Sequence, residues 1–278
     1  VTTQLTRRQR YEQRTKRRSF AIAAASTAIV LTAVAVLLPM TSGWQKVRHS
    51  FFDGSILRFS LGHMLGPFWY DVQIFLWCAP CILLGGLALA FARNVRSPAL
   101  FPLKLFSTVY TDVFRGVPMV LWITLIGFGV PGLLQSRNLG RAVIWGSVAL
   151  IAAYSAYVGE VFRAGIESVH ESQRAAARSL GMTSTQTMRH VILPQAIRRV
   201  VPPLMNDLVS LQKDVALISI LGPVEVLRQA GIDKAKFFNF TPYVAAAVLF
   251  LCVSVPLTRT TDHLLQRERR RTGATAVR

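Results

Sequence analysis

The sequence predicts an all-α integral membrane protein with six transmembrane helices. Three observations carry that expectation. Apolar residues make up 52% of the 278 and charged residues only 16%. The apolar residues gather in blocks close to the roughly 20 needed to cross about 30 Å of hydrocarbon. The basic residues concentrate in every second connecting segment, which is the positive-inside pattern.

The first block is Phe20–Met40, behind an arm carrying Arg7, Arg8, Arg10, Arg14, Lys16, Arg17 and Arg18. Its "KRRSFAIAA" start resembles a twin-arginine export signal. The apolar run is long enough to span, however, and "LLPMTSG" offers no small-residue cleavage site, so an uncleaved span is expected. The polar, aromatic-bearing stretch up to residue 65 fits an external linker with a short amphipathic helix. Span two is Trp69–Ala92, followed by Arg93, Arg96, Lys104 and Arg115 before span three, Val117–Leu134. Span four is Ala142–Val158. Arg163, Arg174, Arg178, Arg189, Arg198 and Arg199 then precede span five, Val200–Leu221. Span six is Thr241–Leu257, with a basic tail behind it. The domains expected are a basic arm (1–19), a first helix with its linker (20–65), a transmembrane core (66–259) and a basic tail (260–278). The arm and the tail are expected to be mobile, and both termini to be cytoplasmic.

A net charge of +19 could suggest nucleic acid, but its confinement to alternate loops speaks for a bilayer partner instead. No phosphate-cradling loop, magnesium-binding acidic cluster, H-E-x-x-H or G-x-S-x-G occurs, and the five histidines are scattered. Cys78, Cys81 and Cys252 fall inside spans, where small packing residues are expected rather than redox or metal ligands. No cofactor or metal is therefore expected on this chain. A membrane-embedded enzyme is the weaker class of function, a pathway or docking protein the stronger.

Two polar features remain. Span five carries Asn206, Asp207, Ser210, Lys213 and Asp214, spaced so that 206, 210 and 213 share one helical line and 207, 210 and 214 the next. Ionisable groups in a span usually face a cavity or another helix. A water-filled pathway would use that stripe; alternatively Lys213 and Asp214 snorkel or pair at an interface. Span four adds Ser147, Tyr154, Ser155 and Tyr157, which fit helix-to-helix hydrogen bonding equally well.

The second feature is "QRAAARSLGMTSTQTMRHVILPQ", residues 173–195. An alanine-rich helix ends at Gly181, where a left-handed cap is wanted. Thr183 and Gln186 have capping-box spacing for a second helix. Pro194 either stops that helix or opens the next. Ala175, Ala176, Met182 and Met188 are expected to be exposed, small or pliable enough to sit in a partner's groove. Spacing alone fits a docking knob and an amphipathic connector equally.

The same stretch resembles the cytoplasmic signature of bacterial ABC importer permeases, E-A-A-x-x-x-G-x(9)-I-x-L-P. Ala176, Ala177, Gly181, Leu193 and Pro194 match it, while Ala175 stands for the usual Glu and Val191 for Ile. "YTDVFRGVPMVL", "GEVFRAGIESV" and "LPQAIRRVVPPLMNDLVSLQKDVALISILG" resemble further segments of the polar amino acid permeases. The resemblance covers residues 66–259. It implies a type I importer permease: a five-helix core plus one N-terminal helix, with residues 160–195 as the cytoplasmic coupling loop. Arg174, Ala175, Ala176, Ala177, Gly181, Met182, Val191, Leu193 and Pro194 would contact an ATPase dimer that carries ATP and Mg. Tyr154, Asn206, Asp207, Ser210, Lys213 and Asp214 would line the substrate path. A second permease subunit, identical or paralogous, and an extracytoplasmic binding protein are the other partners implied. The location implied is the bacterial cytoplasmic membrane. The solute would be a polar amino acid, or else an opine or organic acid. With Ala175 in place of an acid, Arg174 and Arg178 would need another partner, and Glu171 is the nearest candidate in sequence.

Overall fold

The structure, a computed structural model, describes residues 7–95, 97–134 and 142–275. Among them no strand occurs. Contacts divide the chain into two units, Val1–Gly54 and Ser55–Arg278.

The first unit holds α1 (Arg7–Leu37) and α2 (Trp44–Phe51). The apolar part of α1 is exposed throughout, so nothing within its unit covers it. The helix starts at Arg7, inside the segment expected to be a mobile arm. Arg, Gln, Glu and Lys are good helix formers, and a span that follows directly supplies the nucleus they extend.

The second unit begins with α3 (Gly54–His63) and α4 (Leu65–Arg93). Next come α5 (Phe101–Gly116) and α6 (Met119–Leu134), bent by 108° across Val117–Pro118. The basic segment between expected spans two and three therefore holds a helix of its own. Its amphipathic helix was hidden by charges that sit on one face only. Pro118 explains the elbow, because a proline pushes the residue before it out of the helical region, and Val117 is extended.

α7 (Ala142–Glu167) is the central mast: 56% of its membrane window is buried, against 28% for α4 and 22% for the last helix. Ile74, Cys78 and Ile82 of α4, Ile123 of α6, and Leu150, Tyr154 and Val158 of α7 form the main core with Leu211, Val215 and Ile218. The approach of α4 to α7 depends on glycine. A Cβ on Gly86 would meet Val158 Cγ1 at 2.5 Å, and one on Gly159 would meet the Gly86 carbonyl at 3.2 Å. Small residues let backbones close in this way where hydrocarbon gives no hydrophobic drive.

After α7 come α8 (Glu171–Ser179), α9 (Ser184–Thr187), a π turn (Met188–Ile192) and α10 (Leu193–Asp214). A 3₁₀ segment, Val215–Leu221, extends α10. Pro194 thus opens α10 and stops nothing. Its ring needs room at the carbonyl four residues back, and the widened turn before it supplies that room. The helix that carries span five consequently starts at Leu193, ahead of Val200. α11 (Val226–Phe237) follows, then α12 (Thr241–Thr275). α12 continues far into the basic tail, another helix run longer than expected; residues 276–278 lie outside the described residues. Among the described residues four helices are long and apolar enough to cross a membrane, or up to six if each bent pair (α5 with α6, the α9–α10 run with α11) is one span.

Candidate functional site

Three groups of residues cluster about α7 and α10. The first is the helix–glycine–helix unit. Gly181 has φ +80, and its amide donates to the Arg178 carbonyl at 2.9 Å. The Met182 amide donates to the Ala177 carbonyl at 3.2 Å. Those two bonds form a Schellman cap, which needs a left-handed residue that glycine adopts without a Cβ penalty. The Thr183–Gln186 capping box is complete, with both reciprocal bonds present.

The unit is seated, not loose. Val169, Ile192 and Ala196 are buried together, with Ile166 and Met188 packed against them. Ala177 and Thr187 are also buried. Arg174 donates to the Ile166 carbonyl at 3.3 Å, and Arg199 of α10 donates to the Ser168 carbonyl. Two guanidinium groups therefore cap the last carbonyls of α7, where a cation is favoured. Arg178 takes Ser184 Oγ at 3.2 Å. Glu171 pairs with neither arginine among the described contacts, which corrects the expectation above: it stands in the first turn of α8 and favours that helix end instead.

Exposure corrects a second expectation. Ala175 and Ala176 face outward, as do Leu193 and Pro194. Met182 and Val191 are half-buried, and Met188 lies beneath the unit as part of its seat. The outward anchor is Leu180, 83% exposed beside Gly181.

The second group is the stripe on α10. Its two helical lines part company. Asn206, Ser210 and Lys213 lie on an open face. Asp207 and Asp214 turn toward the bundle and are half-buried. The buried Tyr154 donates to Asp214 Oδ2 at 2.8 Å, so Asp214 is held by α7 rather than by Lys213. Asp207 Oδ2 is buried with no hydrogen-bond partner among the described residues. Gln212, which the sequence reading passed over, accepts from Ser254 of α12 at 2.7 Å.

A third group escaped sequence reasoning. Glu160 receives Arg93 of α4 at 2.7 Å and both Nε and Nη2 of Arg163. Arg115 of α5 stands 4.0 Å away and lies over the Tyr157 ring at 5.7 Å. Arg163 also binds Glu167. One carboxylate thus ties α4 and α5 to the lower end of α7, adjoining the helix–glycine–helix unit. Arg115, Glu160 and Arg163 stand within quoted motifs and Arg93 only among the basic residues after span two, but only the fold brings 93, 115 and 160 together.

No three His, Cys, Asp or Glu side chains come together to hold a metal among the described residues. What the arrangement can do is mechanical. An exposed tip is locked onto α7 and α10, and these helices carry the polar stripe.

Residues 82–270 match the family described as binding-protein-dependent transport system inner membrane component. A probable glutamine ABC transporter permease of Bacillus subtilis (strain 168) is 34% identical over 187 residues, 66% of this chain and 85% of its own. An arginine transport system permease of the same organism is 36% identical over 152 residues, 54% of this chain and 68% of its own. A crystal structure of an amino acid ABC transporter with histidines superposes with a TM-score of 0.68 at 30% identity, covering 75% of this chain and 94% of that one.

Proposed function

This chain belongs to the binding-protein-dependent transport inner membrane component family, and on that premise we propose that it passes a polar amino acid inward through an ATP-driven importer. Family membership makes it a transport subunit of the membrane and sets aside the enzyme reading. The amino acid comes from relatives named for glutamine and for arginine. Those two names differ at similar identity, so they support the class and not the individual solute.

The observation that carries the reading is the locked tip: Ala175, Ala176 and Leu180 point outward while Ala177, Met188 and Ile192 fix the unit to α7 and α10. In the proposed cycle it sits in a cleft of a cytoplasmic ATPase dimer, which holds ATP and Mg. Arg174, Gly181 and Met182 form and hold the tip. Val191, Leu193 and Pro194 join it to α10. ATPase closure draws two such tips together, one from each permease subunit, and moves α7 and α10 as levers. Asn206, Ser210 and Lys213 then line the path, with Asp207, Asp214 and Tyr154 behind them on the bundle side. A line of polar groups on an open helix face is costly against lipid and suits water or a second subunit. An extracytoplasmic binding protein delivers the solute. Both termini lie in the cytoplasm.

Purification of the tagged chain in mild detergent tests this. An ATP-hydrolysing subunit should accompany it, and replacing Leu180 by Asp should strip that subunit at least tenfold. A chain that is fully active without any ATPase would refute the proposal.

A further inference from the structure

Where α4 ends and α5 begins, a polar cavity of about 400 Å³ opens, lined by Arg93, Asn94, Ser97, Phe101, Lys104 and Glu167. Neither the solute path nor the coupling tip uses it. That volume is within the range of small-ligand sites.

Its charge is unbalanced. Arg93, Lys104, Arg115 and Arg163 bring four positive charges to this corner, and Glu160 and Glu167 answer two of them. Glu167, the one acid on the cavity wall, is held by Arg163. Arg93 keeps one guanidinium nitrogen on Glu160. Lys104 is exposed and has no ion-pair partner among the described residues.

Its depth matters equally. Arg93 is the last residue of α4, a helix long and apolar enough to cross a membrane, so the cavity opens at the end of that candidate span, the level at which headgroups are expected. Beside it Leu100, just before α5, and Phe101, Leu105 and Phe106 of α5 are exposed, at 47–60%. A cationic cavity with an apolar flank at that level matches one ligand chemistry: a phosphate ester carrying acyl chains. Basic pockets between transmembrane helices take anionic headgroups in this way, and a guanidinium with an ammonium suits phosphate oxygens.

We propose that this cavity is a binding site for the phosphate of an anionic phospholipid, with Lys104 and Arg93 as its ligands. The lipid staples the start of α5 to the end of α4 and compensates the excess charge around Glu160. The proposal stands apart from the transport reading and does not depend on which solute is carried.

Native mass spectrometry of the intact transporter tests it, titrated separately with phosphatidylglycerol, phosphatidylcholine and inorganic phosphate. Phosphatidylglycerol should bind at least tenfold more tightly than phosphatidylcholine, and Lys104→Gln and Lys104→Glu should weaken it by about tenfold and more. Inorganic phosphate should displace the lipid only at far higher concentration. If phosphate binds tightly and the lipid does not, the acyl-chain assignment is overturned. Equal binding of phosphatidylglycerol to wild type and both variants overturns the site itself. Thermal unfolding of each variant without added lipid guards against a fold effect. Unchanged melting is expected, since Lys104 is solvent-facing.

Discussion

Tyr154 of α7 and Asp214 of α10 are joined inside the bundle, the hydroxyl donating to the carboxylate at 2.8 Å. That bond couples the mast to the helix bearing the polar stripe. Tyr154→Phe leaves the carboxylate without its donor. The loss should cost about 1–3 kcal/mol, read as a lower melting temperature in detergent. Asp214→Asn keeps an acceptor for the same hydroxyl and should melt close to wild type. If Asp214 serves the path, that variant still loses uptake. Equal melting of wild type and Tyr154→Phe would show that the bond carries no load.

Glu160 is the only carboxylate bridging Arg93 and Arg163 among the described ion pairs. Glu160→Gln leaves those guanidinium groups facing one another. With the pair partly open to solvent, a destabilisation of about 1–3 kcal/mol is expected, smaller at high salt because screening softens the repulsion. Melting curves at low and high ionic strength check both parts. A variant as stable as wild type in low salt would contradict the hub role.

Phe238 has φ +49 and is 94% exposed, and among the described residues it is the one non-glycine with a positive φ. It occupies the position after α11 where glycine is favoured. Phe238→Gly removes the Cβ conflict and forfeits no burial. After the entropy that glycine adds to the unfolded chain, a gain of up to about 1 kcal/mol is expected. A lower melting temperature would mean that the ring makes a contact with lipid or a partner.

How much of this was legible in the sequence depended on the range of the interactions. The Gly181 cap and the Thr183–Gln186 box are local, so a few letters sufficed. Spans two, four and six came from hydropathy, another local sum. The α5–α6 elbow did not, because one-sided charges on α5 masked a helix that packs on α4 and α7. At Pro194 the sequence leaves two readings, a stop or a start, and the fold takes the start because the widened turn before it makes room for the ring. The split of the α10 stripe into an open line and an inward line follows from which side of α10 the helices α7 and α12 cover. Asn206 and Asp207 are adjacent letters with different surroundings. The Glu160 cluster joins positions 67 residues apart, and no spacing rule reaches that far. Likewise Met188, expected outside, packs beneath the tip against Val169, Ile192 and Ala196, residues that only the fold brings to it.

The central claim is that the tip at Gly181 transmits ATPase motion to the path. Its most direct test is ATP-driven amino acid uptake into proteoliposomes by the assembled transporter, comparing wild type, Gly181→Asn and Gly181→Val. Asparagine tolerates a left-handed backbone and valine does not, so both side chains change while only one breaks the cap. Uptake should persist in Gly181→Asn and fall at least tenfold in Gly181→Val, with the complex still assembled. Uptake at the wild-type rate in an assembled Gly181→Val transporter would contradict the claim.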